Sequence, residues 1–201
     1  MEVDSPNTLK LMARSRRPPN CSQFNLDARA SQPLRAVTLP PPQGGCHTRL
    51  LNGLPVPDPK CTPGAINPTI TAEVLRDPAF RTACLRQQVT AEREKARTYN
   101  WYSIPHPVNN SRGSQSCELD HLVSLELGGA DTLDNIWPQC GPPGMPLAQR
   151  YFKQKDVVEN YLSWRVKRGE MDLAQAQKGV ASNWTQHLAQ VKQHCTSQGC
   201  Q

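Results

Sequence analysis

The spacing of apolar residues changes along the chain, and each change predicts an element. In "CTPGAINPTITAEVLRDPAFRTACLRQQ" the residues Val74, Leu75, Phe80, Cys84 and Leu85 follow helical intervals, interrupted near Pro78. Pro63-Gly64 marks a turn upstream and Thr71 suits an N-cap, so one helix or two short ones are expected here. "ELDHLVSLELGG" alternates instead: Leu119, His121 and Val123 point one way, and Glu118, Asp120 and Leu122 the other. That is a strand ending in a turn. Gly128-Gly129 lets the backbone loop back, and "DNIWPQ" supplies a short returning strand, which makes an antiparallel hairpin. Helical spacing resumes at Val157, Val158, Tyr161, Leu162 and Val166, with Gly169 as the stop. Asp172, with Gln175 three residues on, then caps a final helix whose apolar stripe is Leu173, Val180, Trp184, Leu188 and Val191.

Two segments lack such periodicity. Residues 1 to 59 hold ten of the nineteen prolines, which remove donors and fix φ, so this part reads as an extended arm whose "RSRRPP" cluster is a solvated tail. The polar stretch "VTAEREKARTYNWYSIPHPVNNSRG" sets Arg93, Lys95 and Arg97 near Tyr99, Trp101 and Tyr102. Nucleic-acid contact and ordinary amphipathic packing explain that mixture equally well. The expected architecture is a single α+β domain: residues 1–56 form a proline-rich, largely irregular arm, and 57–201 a hairpin-and-helix centre with flanking helices.

Composition narrows the function classes. The chain has 201 residues, enough for one good-sized core, and no window approaches the roughly 18 consecutive apolar residues of a membrane span. A net charge of +6 favours an anionic partner such as nucleic acid, although an ordinary basic surface gives the same total. The eight cysteines include no Cys-x-x-Cys pair, which argues for disulfides over a zinc ribbon and hence for a secreted or periplasmic protein. The first twenty residues contain no apolar stretch typical of a signal peptide, so the expectation is a signal already removed or another export route. Cys117 and Cys140 face each other across the expected hairpin and are expected to bond. Sequence proximity pairs Cys21 with Cys46, Cys61 with Cys84, and Cys195 with Cys200.

"LDHLVSLELGG" followed by "DNIWPQ" and "KDVVENYL" resembles the HNH, or ββα-metal, endonucleases, in particular an exported actinobacterial-type group with a DH-P-LELGG, NLWP and KD-x-x-E pattern. "PDPKCTPGAINPTIT" upstream and "MDLAQAQKGVASNW" downstream extend the likeness over roughly residues 57 to 184. The resemblance implies a disulfide-stapled ββα-metal centre that hydrolyses phosphodiester bonds in DNA, with RNA as a further candidate. The implied cofactor is one divalent ion, Mg²⁺ first and Mn²⁺ or Zn²⁺ as alternatives. His121 matches the general base, Asp120 a metal ligand and Asn135 the residue that holds the loop so that the histidine is aimed.

Two positions depart from the pattern. The family presents a His or Asn from the following helix as a second metal ligand, and none stands between Trp137 and Lys155; Asp156 and Glu159, with Asn160 beside them, are the nearest substitutes. The competing reading makes Lys155 and Glu159 an ordinary i,i+4 surface pair and Asp156 a solvated helix residue. Ser124 stands where the group has proline. Two alternatives follow for function: a binding or interaction module that kept the fold and lost the chemistry, or a nuclease toxin neutralised by a small acidic immunity protein.

Overall fold

The computed structural model describes residues 20–86 and 92–198. The "RSRRPP" cluster and Cys200 lie outside them, and nothing is described of the Cys195 side chain. The elements in chain order are β1 (Gln32–Pro33), β2 (Arg49–Leu51), β3 (Leu54–Val56), β4 (Ala65–Ile66), α1 (Ala72–Arg76), α2 (Glu92–Lys95), α3 (Arg97–Trp101), β5 (Cys117–His121), β6 (Ile136–Cys140), α4 (Tyr151–Lys167), α5 (Leu173–Asn183) and α6 (Leu188–Gln198). The fold is mixed α+β, with three two-stranded antiparallel sheets, β1 with β4, β2 with β3 and β5 with β6.

The expected hairpin is present as β5 and β6, paired in register from Cys117 opposite Cys140 to His121 opposite Ile136. Its long connection is fixed by backbone geometry. Gly128 has φ of +72°, and a Cβ on Gly129 would lie 1.8 Å from the Val123 carbonyl oxygen, so no side chain fits where the chain doubles back. The α4 helix packs on this hairpin. It buries Phe152, Val158, Leu162 and Val166, and the last three enter a core that includes Val123, Leu125 and Leu127 from the connection and Val180 and Trp184 from the last helical segment.

The final helix differs from its prediction. The stripe from Leu173 to Val191 is split into α5 and α6 by a 3₁₀ turn, Trp184–His187. Asn183 causes the break: its backbone leaves helical geometry at φ −165°, and its side chain accepts from the Thr185 N–H at 3.1 Å and the Thr185 hydroxyl at 2.6 Å. Asp172 caps α5 as expected, accepting from Gln175 N at 2.9 Å. The Val74–Leu85 segment forms α1 and a 3₁₀ turn, Thr82–Cys84, with Thr71 as the N-cap.

From Asn20 onward the proline-rich arm is poor in regular structure yet joined to the core. Asn52-Gly53, both at positive φ, turns β2 into β3, and Val56 at the end of β3 is buried. The Trp184 indole donates to Pro55 O at 3.0 Å. Three disulfides form among the described residues: Cys21–Cys84, Cys46–Cys61 and Cys117–Cys140. The third is the expected hairpin staple. The first two replace the pairings Cys21–Cys46 and Cys61–Cys84 drawn from proximity in sequence. The arm's start reaches across to the Cys84 turn, where Phe24 packs edge-on against Phe80 at 5.7 Å, and Cys46 and Cys61 are buried together beside Trp101, Tyr102 and Trp137. Three such bonds are compatible with an extracellular or periplasmic protein. Among the described residues no helix is long and apolar enough to cross a membrane.

Peptide mapping under non-reducing conditions should recover these three linked pairs. The double substitution Cys117→Ser, Cys140→Ser should lower the unfolding free energy by about 2–4 kcal/mol in a urea titration, the usual contribution of a native cross-link closing a loop of this size.

Candidate functional site

Alternation along β5 separates the two residues of the Asp-His pair. The His121 ring turns toward Asp131, its Nε2 standing 2.7 Å from Asp131 Oδ1, and Lys95 Nζ reaches the same oxygen at 2.8 Å. The Asp131 side chain is fully buried. A carboxylate oxygen accepts, so Nε2 is the donor in this pair, and in the tautomer that this contact selects the ring lone pair lies on Nδ1. A base oriented by a buried carboxylate is the arrangement that general-base chemistry requires.

Asn135 positions this assembly from below. It is fully buried and uses every polar position it has: Oδ1 accepts from Val123 N at 2.9 Å and Ala65 N at 3.2 Å, while Nδ2 donates to Val123 O at 2.9 Å and Ala130 O at 2.8 Å. These bonds clamp the two ends of the Val123–Ala130 connection. Asp131, next in the chain after the clamped Ala130, is thereby held opposite His121.

On the other face of β5, Asp120 meets α4. Lys155 is fully buried and spends its three N–H groups on Asp120 Oδ2 at 2.8 Å, the backbone carbonyl of His121 at 2.7 Å and Glu159 Oε1. The Trp137 indole donates to the same Asp120 oxygen at 3.2 Å. Lys155 and Glu159 are therefore a buried pair and not the surface pair that i,i+4 spacing suggests. Burial disfavours the charged ammonium, but Asp120 and Glu159 outweigh it and hold the Lys155 pKa above the ordinary lysine value. Burial pushes the Glu159 carboxyl up to about 8, with Lys155 pulling it down and Asp120 pushing it further up. With one ammonium shared between two carboxylates, the site favours the protonated form of Glu159 over its ordinary ionised one. Asp156 is only partly buried and pairs with Lys153 at 2.7 Å.

These groups border a cavity of about 280 Å³ whose walls include Glu118, Asp120, His121, Asp156, Glu159 and Arg86. Burial, and then repulsion from Asp120 and Asp156, raises the Glu118 carboxyl above its ordinary value. Ser124 also lines the cavity; its hydroxyl is buried and without a hydrogen-bond partner.

The structure thus brings His121, Asp120, Asp156 and Glu159 to one cavity and sets Asn135 beneath it. It does not assemble the expected ligands around an open point. Asp120 and Glu159 both close on the Lys155 ammonium, Asp156 closes on Lys153, and among the described residues no three His, Cys, Asp or Glu side chains converge as a metal site requires. As placed, this donor set does not fit the divalent ion that the resemblance implies. From the sequence Asp131 has no role, Lys95 stands only among basic residues beside aromatics, and Lys155 reads only as a surface partner of Glu159. Of the three, Lys155 carried a signal, since it opens the KD-x-x-E run. Searches against protein-family models, curated proteins and solved structures find no match for the chain.

Replacing Asn135 with Ala strands several buried backbone groups and should cost about 3 kcal/mol or more in urea unfolding, since each unsatisfied buried group costs roughly 1–3 kcal/mol. Glu159 makes a pH-dependent contribution. Because its pKa is raised in the folded state, the native protein binds more protons than the unfolded chain between the ordinary carboxylate range and about 8. Stability from this group therefore falls as pH rises through that window. The stability difference between Glu159→Gln and the wild type, read from denaturation midpoints at pH 5 and pH 8, should move in favour of the variant at the higher pH.

Proposed function

We propose that the chain is an endonuclease of the HNH kind, hydrolysing phosphodiester bonds in nucleic acid, with DNA as the first candidate. The observation that carries this reading is the His121–Asp131 pair, a histidine oriented by a buried carboxylate at the edge of a polar cavity. The β5–β6 hairpin with α4 packed on it supports a ββα reading of the centre, and the basic composition suits a polyanionic substrate.

In this reading His121 Nδ1 takes a proton from water, and the water oxygen attacks phosphorus as the bond to the leaving oxygen breaks; solvent supplies the proton that oxygen then takes up. Arg86 and the unpartnered Ser124 hydroxyl are donors at the cavity for phosphoryl oxygens, where negative charge grows in the transition state. Asp120 acts through the strand: its bond to Lys155 secures β5 on α4 while His121 projects from the opposite face.

The occupied carboxylates favour a second reading, in which the protein binds nucleic acid without cleaving it. A plasmid-nicking assay with the oxidised protein in EDTA, Mg²⁺, Mn²⁺ and Zn²⁺ separates the two. Nicking that falls about 10²-fold or more in a folded His121→Ala variant is expected for the nuclease. Activity in EDTA is what the paired carboxylates imply, whereas activity confined to the metal conditions would mean that an ion reaches these carboxylates despite their ammonium partners. Binding with an intact plasmid under every condition would replace the enzyme with the binding module.

A further inference from the structure

A second cavity of about 350 Å³ adjoins the first. Thr82 and Glu126 line both, so the two cavities are neighbours, and together they make a cleft whose line runs from His121 past the Thr82–Cys84 turn toward the end of α4, with these two residues at its waist. The ends of the cleft differ in charge. The His121 end carries five carboxylates, Glu118, Asp120, Glu126, Asp156 and Glu159, against Arg86. The far end carries Arg76, Arg81 and Lys167, all exposed, against Asp77 and the shared Glu126. Asp77 is partly occupied, accepting from Ala79 N at 2.8 Å.

The basic side chains remain able to donate. Arg81 Nη1 is held by the carbonyls of Pro78 at 2.6 Å and Phe80 at 2.7 Å, which fixes the guanidinium at the rim and leaves Nε and Nη2. Arg76 Nη2 donates to Val166 O at 3.3 Å, which ties it to the turn of α4 that presents Lys167. Between these cations the cavity is lined by the apolar side chains Leu75, Pro78 and Phe80. Cations around an apolar patch match a nucleotide unit, whose phosphate is charged and whose base has an apolar face.

We propose that this second cavity is a subsite for a flanking nucleotide, with its phosphate on Arg76, Arg81 and Lys167, and that the cleft takes a single strand extending from the bond placed at His121. The subsite deepens the nuclease reading and rests on it for the position of the reacting phosphate. The acidic end gives a strand little purchase, so the far end supplies the attraction that holds it.

The test uses fluorescence anisotropy with a labelled 20-nucleotide oligo-dT and a duplex of equal length, on the full chain in a His121→Ala background so that the probe stays intact. The variant Arg81→Glu, Lys167→Glu is compared with Arg35→Glu, Lys178→Glu, which makes the same charge change at exposed positions outside the cleft. The cleft variant should weaken oligo-dT binding about tenfold relative to the control variant and flatten the salt dependence by roughly 0.7 in log–log slope, the one phosphate contact of the subsite on a single strand. Circular dichroism melts confirm that both variants fold.

Equal affinity of the two variants would overturn the subsite, as would a preference for the duplex, absence of binding, or equal displacement by polyglutamate, which would identify an acidic-peptide surface instead. A nicking assay in the His121-containing protein keeps the outcomes distinct. Nicking with an unchanged KM in the cleft variant removes the subsite and leaves the nuclease. Weakened binding in a protein that never nicks keeps the subsite and removes the nuclease.

Discussion

The Lys155 ammonium sits where α4 meets β5, and the arrangement on both sides of the strand depends on it. Three acceptors from two elements converge on this one group: Asp120 and the His121 carbonyl from the strand, and Glu159 from the helix itself. A buried charge left unpaired costs several kcal/mol, so helix and strand cannot slide past each other without exposing or stranding one of the partners. Hydrophobic packing of Val158, Leu162 and Val166 holds α4 against the core but would tolerate small shifts along the axis. The ammonium supplies the directional restraint that packing lacks.

That restraint matters because the opposite face of the same strand carries the His121 ring. Its partner Asp131 arrives from a connection with little freedom of its own, pinned by Asn135 and by the backbone contact at Gly129. The imidazole therefore has its direction set by Asp131 before any ligand arrives. A site arranged in advance avoids reorganising its dipoles during reaction. Rigidity on one face and charge neutralisation on the other are two results of building the site at a single strand.

Much of this was legible in the chain. The period-two pattern of "ELDHLV" with Gly128-Gly129 placed the hairpin, and two facing cysteines at its ends placed its disulfide. The 3.6-residue pattern placed α4. What periodicity cannot carry is which surface a polar side chain meets. Lys155 reads as a solvated neighbour of Glu159 until the burial of that helix face is known, and Asp131 and Lys95, 36 residues apart in sequence, meet only after folding. The arm cysteines failed for the same reason, since Cys21 finds its partner 63 residues on. The division of the last helix turns on Asn183 making a local hydrogen bond in place of helix continuation, which an apolar stripe does not record.

The full occupation of Asn135 also bears on how the molecule would age. Hydrolysis of this side-chain amide to a carboxylate would leave the overall shape nearly unchanged, a swap of NH₂ for oxygen. It would nevertheless turn two donated hydrogen bonds into an oxygen facing the carbonyls of Val123 and Ala130, with a negative charge buried among them. A covalent change of one mass unit at this position would therefore undo the connection that holds Asp131, whereas the same change at exposed Asn160, at the cavity rim on α4, would leave that connection untouched.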